Sequence, residues 1–119
     1  MFISQKKLGY LKGQISTTML APIRLSSPGP VFSRLVAGVM TWGVWGHKLD
    51  IKEMSALIDH CLSLGITTFD HADIYGGYTT ESAFGDAFSK TDISRPNVQF
   101  ISKCGIQLKT PNRSNTLKH

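Results

Sequence analysis

The sequence lacks any long apolar segment. No run of about 18 apolar residues occurs among its 119 residues, so it predicts no membrane-spanning helix. Residues 1–20 contain lysines but no apolar core of signal-peptide length, because glycine and polar residues interrupt them. We therefore expect a cytoplasmic protein with no membrane partner, and we interpret residues 1–20 as a poorly ordered extension.

Cysteine is scarce as well. Cys61 and Cys104 are the only two cysteines, and their separation does not match the spacing of metal ligands. Two unpaired thiols are ordinary in a reducing cytosol. We therefore predict neither a disulfide framework nor a metal site.

Charged residues make up 18% of the chain, below the usual ~25%, and the formal net charge is +5. The lysines and arginines are scattered and form no basic stripe with interleaved aromatic residues, so we expect no nucleic-acid partner. The positive charge would suit a phosphorylated cofactor, but ordinary surface solvation is the preferred explanation. The apolar share of 41% and the length are typical of one folded domain.

Strand and helix patterns alternate along the chain. They predict a hairpin from residues 22–25 and 31–33, strands at 34–38, 66–70 and 98–102, and a helix at 50–64. A second, shorter helix is predicted between Thr79 or Thr80 and a connector at 89–97. Such alternation is typical of an α/β fold with a parallel sheet and right-handed crossovers. Residues 104–119 are polar and predict no further strand or helix.

The two helices carry end signals. Asp50 is the predicted N-cap of the first helix, with Glu53 as its capping-box partner and Gly65 just beyond the end. Thr79 or Thr80 is predicted to cap the second helix.

Three residues with complementary chemistry follow two of the strands. Asp70 ends the strand at 66–70, Lys103 stands at the same place on the next strand, and Tyr75 lies five residues after Asp70. Neighbouring strands would bring the carboxylate and the ammonium to roughly 5 Å at the end of the sheet where ligands bind. An ammonium beside a tyrosine lowers the pKa of its hydroxyl and makes it a better acid. The group can therefore deliver a proton to a carbonyl under reduction.

Each member also has a simpler explanation when taken alone. Asp70 can cap a turn, Tyr75 can pack with its hydroxyl at the rim, and Lys103 can be a solvated strand end. His71 and Asp73 are more often loop-stabilising groups than metal ligands. The two tryptophans of loop 39–46 can form pocket walls or pack against the domain itself. The interpretation as a site depends on the three residues occurring together.

The segment FDHADIYGGY resembles the signature of the aldo/keto reductase family, and SKCGI resembles the strand that carries the family's lysine. The segments LSLGITTFD and SRLVAGVMTWG also match the family in kind and order. DHADIYGGYTTESAFGDAF is similar to the bacterial YdhF-like branch of that family. The resemblance covers about residues 22–108.

The resemblance implies a (β/α)₈ TIM barrel that binds NADPH without a Rossmann fold and reduces a small aldehyde or ketone to an alcohol. By resemblance, Tyr75 is the proton donor, Lys103 tunes it, and Asp70 anchors the lysine.

The same resemblance implies a cofactor-binding segment after the first barrel strand. Gly38, Val39 and Met40, together with Asp70, fall where the family's backbone approaches the nicotinamide side of NADPH. Val39 stands where a threonine is common.

A TIM barrel needs about 250 residues. We therefore expect residues 21–108 to form the first βα units, residues 109–119 to be an irregular tail, and the chain alone to be unstable and inactive. His119 does not occupy the place of the family's catalytic histidine. The alternatives are a non-catalytic remnant that acts as an interaction module, and a binding protein for small carbonyls or nucleotides without turnover.

Overall fold

A computed structural model gives the architecture of residues 21–114 and 116–118. Its elements follow the predicted order, a hairpin and then alternating strands and helices. They are β1 (Ile23–Arg24), β2 (Val31–Phe32), β3 (Val36–Gly38), α1 (Ile51–Ser63), β4 (Thr68–Asp70), α2 (Thr80–Phe88), a 3₁₀ turn (Arg95–Asn97), β5 (Gln99–Ile101), β6 (Ile106–Gln107) and β7 (Leu117–Lys118). The predicted poorly ordered extension, residues 1–20, lies outside the described residues.

The centre of the fold is a parallel sheet in the order β3-β4-β5, as the alternation predicts. Each strand is three residues long and therefore shorter than predicted. At β4 the reason is that other partners take the preceding amides. The Ile66 N–H donates to Cys61 O at the end of α1, and the Thr67 N–H donates to Ser33 Oγ.

Helix α1 has both predicted ends. Asp50 Oδ1 accepts from the Glu53 N–H at 2.7 Å, and Glu53 Oε2 accepts from the Asp50 N–H at 3.0 Å, which completes a capping box. Gly65 follows with φ of +79°, a left-handed conformation that glycine adopts at little cost. No helix in the described part of the chain is long and apolar enough to cross a bilayer.

Helix α2 begins where predicted but without the predicted side-chain cap. Thr79 is its N-cap residue by position, yet its hydroxyl donates backwards to Gly76 O at 2.7 Å. The Thr80 hydroxyl is buried and has no hydrogen-bond partner among the described residues. The start of α2 is therefore determined by the preceding loop rather than by a capping side chain.

Aromatic side chains join the sheet to α2. Phe69 and Phe100 are paired across β4 and β5 and face the helices, as the alternation along the third predicted strand requires. The Phe84 ring of α2 lies with its centroid 5.2 Å from that of Phe69 and 5.5 Å from that of Phe100. The tilted and edge-on arrangements are the favourable ones for aromatic pairs.

The predicted hairpin is confirmed, and the residue after it is hydrogen-bonded to the start of β4. β1 and β2 pair antiparallel, with Ile23 opposite Phe32. Ser33, just after β2, accepts through its hydroxyl from the Thr68 N–H and donates its own N–H to Thr68 Oγ1. These bonds hold the hairpin beside the start of β4, so the carboxyl ends of the strands stay open.

The prediction that residues 104–119 contain no strand is wrong. β6 and β7 pair antiparallel, with Ile106 opposite Lys118 and Gln107 opposite Leu117, and Thr110 and Arg113 form a bridge between them. A two-residue strand is too short to show an alternating pattern in the sequence. This hairpin also makes tertiary contacts, with the Tyr78 hydroxyl bonded to Ile106 O and the Leu108 N–H.

Candidate active site

The carboxyl ends of β4 and β5 bring an acid and a lysine together. The ladder pairs Asp70 with Ile101, so Lys103 lies two positions beyond Asp70, and the prediction that the two residues are level is wrong. The lysine side chain is long enough to reach back, and its Nζ lies 2.7 Å from Asp70 Oδ1. The predicted ion pair is therefore present, and it forms because the lysine side chain is long enough to span the offset of two positions.

Backbone hydrogen bonds join the two loops that carry this pair. The His71 N–H donates to Ile101 O at 2.8 Å, and the Asp73 N–H donates to Lys103 O at 2.9 Å. Lys103 Nζ also donates to His71 O at 2.6 Å. Two oxygens from the β4 end thus hold the lysine ammonium, and sequence patterns did not indicate the one from the backbone.

The hydrogen bond to Asp70 raises the pKa of Lys103 above its usual value. Slight desolvation opposes the shift, and the nearby Tyr75 adds to it. Because a higher pKa favours the protonated form, the ammonium persists well beyond neutral pH.

Tyr75 lies beside this lysine. Lys103 Nζ is 5.4 Å from the centroid of the tyrosine ring, and the centroid of the Trp45 ring is 6.4 Å from it. Gly76 and Gly77 follow with φ of +62° and +64°. A Cβ on Gly76 would lie 2.5 Å from Thr80 Oγ1, so the loop that presents Tyr75 requires glycine there.

Tyr75 and Lys103 line one pocket of about 190 Å³. The other lining residues are mostly apolar: Ala72, Ile74, Cys104 and Ile106. A tyrosine hydroxyl and an ammonium in an otherwise apolar pocket can bind and polarise one oxygen of a small ligand.

The predicted cofactor-binding segment lies at the same end of the sheet. Gly38 is level with Asp70 on the neighbouring strand, and a Cβ on Gly38 would meet no atom within 4 Å. The Val39 N–H donates to Asp70 O at 3.1 Å, whereas its side chain is fully buried in the core. Met40 is about half exposed. Val39 can therefore offer a ligand only its carbonyl oxygen, which also accepts from the Trp42 N–H.

The two tryptophans of loop 39–46 have different surroundings, which the sequence alone did not indicate. Trp42 is buried against Phe69 and Phe84 in the core. Trp45 is 44% exposed and lies next to Tyr75 at the mouth of the site. Only Trp45 forms part of the candidate site.

His71 is buried more deeply than its place in a polar loop suggests. It lies two residues after Phe69, so both side chains are on the face of β4 that meets the helices. There the centroid of the His71 ring is 4.5 Å from that of Phe84. Its Nδ1 has no hydrogen-bond partner among the described residues. Burial lowers the pKa of His71, the carboxylates of Glu81 and Asp70 oppose the shift, and Lys103 adds to it.

The described residues contain no group of three or more histidine, cysteine or acidic side chains that could hold a metal ion. Cys61 is buried in the core, and Cys104 is exposed at the pocket rim.

The sequence model of the aldo/keto reductase family matches residues 34–118. That range includes the whole parallel sheet, both helices and the Asp70–Lys103 pair. The chain therefore belongs to the aldo/keto reductase family.

Individual relatives agree with this assignment. Oxidoreductase YdhF from Escherichia coli is 39% identical over 101 residues, which are 85% of this chain and 33% of that protein. The uncharacterized oxidoreductase YcsN from Bacillus subtilis is 45% identical over 82 residues, 69% of this chain and 27% of its own length. The chain thus spans about a third or less of the length of these two relatives.

A solved structure supports the fold. The crystal structure of PA4992 from Pseudomonas aeruginosa, solved as a candidate aldo-keto reductase, superposes with a TM-score of 0.67 at 22% identity. The match covers 88% of this chain and 38% of that one. The predicted α/β fold, part of a TIM barrel, is confirmed: the described residues provide three parallel strands and two helices of it but no closed barrel.

Proposed function

We propose that the protein reduces an aldehyde or a ketone to an alcohol with NADPH as the hydride source. The observation that carries the proposal is the 2.7 Å contact between Lys103 Nζ and Asp70 Oδ1 beside the Tyr75 ring. This arrangement occurs at the carboxyl ends of parallel strands, where barrel enzymes bind their substrates.

The three side chains have separate roles in this proposal. Tyr75 donates its hydroxyl proton to the carbonyl oxygen, so the substrate becomes an alcohol and the tyrosine becomes a phenolate. The Lys103 ammonium stabilises that negative charge, and Asp70 keeps the ammonium in place. Solvent then returns a proton to Tyr75 through the open mouth of the site.

The last residue of β3 and the two residues after it suit the nicotinamide end of NADPH. Gly38 leaves open space beside Asp70, and the half-exposed Met40 can contact a flat ring. Val39 would take part only through its carbonyl oxygen, since its side chain is buried and its N–H donates to Asp70 O. When bound, NADPH supplies the hydride that is added to the carbonyl carbon.

A lysine comparison tests the proposal. The full reading frame that contains this sequence is expressed, and NADPH consumption is measured with a panel of aldehydes and ketones. We expect Lys103→Met to slow turnover about 100-fold or more, the usual contribution of an acid–base group. Lys90→Met, at an exposed turn after α2, is the matched control and should keep the wild-type rate. Wild-type protein that consumes no NADPH with any carbonyl would refute the proposal.

A further inference from the structure

Tyr78 has a backbone conformation that a bulky residue rarely adopts. Its φ is +71°, in the left-handed region that normally favours glycine. Such a conformation costs free energy and persists where surrounding contacts hold it, most often at functional sites.

Both hydrogen-bonding capacities of the Tyr78 hydroxyl are used by one short segment. The hydroxyl donates to Ile106 O at 3.2 Å and accepts from the Leu108 N–H at 3.2 Å. These two residues flank Gln107, the last residue of β6. Tyr78 thus connects the loop after β4 to the β6–β7 hairpin at two points.

The connected hairpin also forms a wall of the candidate active site. Ile106 lines the same pocket of about 190 Å³ as Tyr75 and Lys103. The hairpin strands have only two residues each, too short to be stable without anchoring. The Tyr78 hydroxyl is therefore hydrogen-bonded to the segment that carries the Ile106 wall.

We propose that Tyr78 is a positioning residue that holds the β6–β7 hairpin against the pocket and thereby keeps Ile106 in place to contact the carbonyl substrate. The inference rests on the proposed function. An apolar cavity of about 150 Å³ is large enough for benzene, so this pocket suits a carbonyl compound with one compact apolar substituent, up to the size of a ring. Tyr78 acts through Ile106 and has no role in proton transfer.

Amide hydrogen exchange tests the anchoring directly. Tyr78→Phe keeps the ring and removes both hydrogen bonds. One of them is donated by the Leu108 N–H, so we expect this amide to exchange about fivefold faster, the effect of losing one ordinary hydrogen bond. Tyr75→Phe is the control, because its hydroxyl does not contact Leu108, and it should leave that amide unchanged. Equal Leu108 exchange in wild type and Tyr78→Phe would overturn the proposal.

Kinetics test the effect on the pocket. With ring-sized carbonyl substrates, Tyr78→Phe should raise KM about fivefold and leave kcat and NADPH affinity within about twofold. A purely structural role would lower the amount of folded enzyme and leave KM unchanged, and that result would overturn the proposal. If wild type lacks carbonyl reduction, the proposed function and the pocket role fail together, while Leu108 exchange still decides the anchoring.

Discussion

Lys103 reaches back over two strand positions to place its Nζ 2.7 Å from Oδ1 of Asp70. The same nitrogen donates to the backbone oxygen of His71. The ammonium is thus held by one charged and one neutral acceptor, and a substitution of Asp70 removes only the charged one.

Asp70→Asn should lower the pKa of Lys103. The carboxylate is the largest cause of the raised pKa, whereas the His71 carbonyl remains in the variant. Reductive methylation with ¹³C-labelled formaldehyde and an NMR titration of the lysine methyl signals measure this value. Asp73→Asn is the control, because Asp73 meets Lys103 through its backbone N–H. A Lys103 titration unchanged in Asp70→Asn would contradict the described contact.

The free energy of unfolding should fall as the pH drops below about 6.5, with His71 as one cause. Burial holds the pKa of His71 below its ordinary value of 6.5, so in this range the unfolded chain binds a proton that the folded chain does not. Glu81 and Asp70 reduce the effect and Lys103 increases it.

Urea unfolding of the protein expressed from the full reading frame, at a series of pH values, measures that dependence. His71→Phe keeps an aromatic ring against Phe84. It should make the dependence of the unfolding free energy on pH flatter below 6.5, the ordinary pKa of histidine. His60→Phe, on the exposed face of α1, should keep the wild-type slope. Identical slopes for all three proteins would show that His71 does not titrate as its burial requires.

Phe84→Ala should cost about 3–5 kcal/mol of stability, as for other buried aromatic truncations. Phe84 is nearly fully buried, and its ring lies against Phe69, His71 and Phe100. Ile51→Ala, at an exposed position of α1, should change stability by about 0.5 kcal/mol or less. Urea denaturation compares the two, and a similar cost for both would place the core elsewhere.

Much of the fold follows from local patterns. The capping box of Asp50 and Glu53 and the glycine at position 65 locate α1 because each satisfies backbone groups within a few residues. The alternation through Phe100 indicates which face of β5 meets the helices, since the period of a strand is two residues.

Other features depend on contacts between distant residues. The register that puts Ile101, not Lys103, beside Asp70 is set by the ladder as a whole. The hairpin of β6 and β7 is hydrogen-bonded to the Tyr78 hydroxyl, 28 residues before Ile106 in sequence. The acceptor on His71 is a backbone carbonyl, which residue identity cannot reveal. Sequence patterns therefore identified the charged pair but not its full support.

The central claim is that Tyr75 delivers the proton in carbonyl reduction. It is tested most directly by comparing wild type with Tyr75→Phe in the protein expressed from the full reading frame. NADPH binding is followed by fluorescence quenching, and turnover by NADPH consumption with an aldehyde or ketone. We predict equal quenching in both proteins and a loss of turnover of about 100-fold or more in the variant. Wild-type turnover in Tyr75→Phe would contradict the claim.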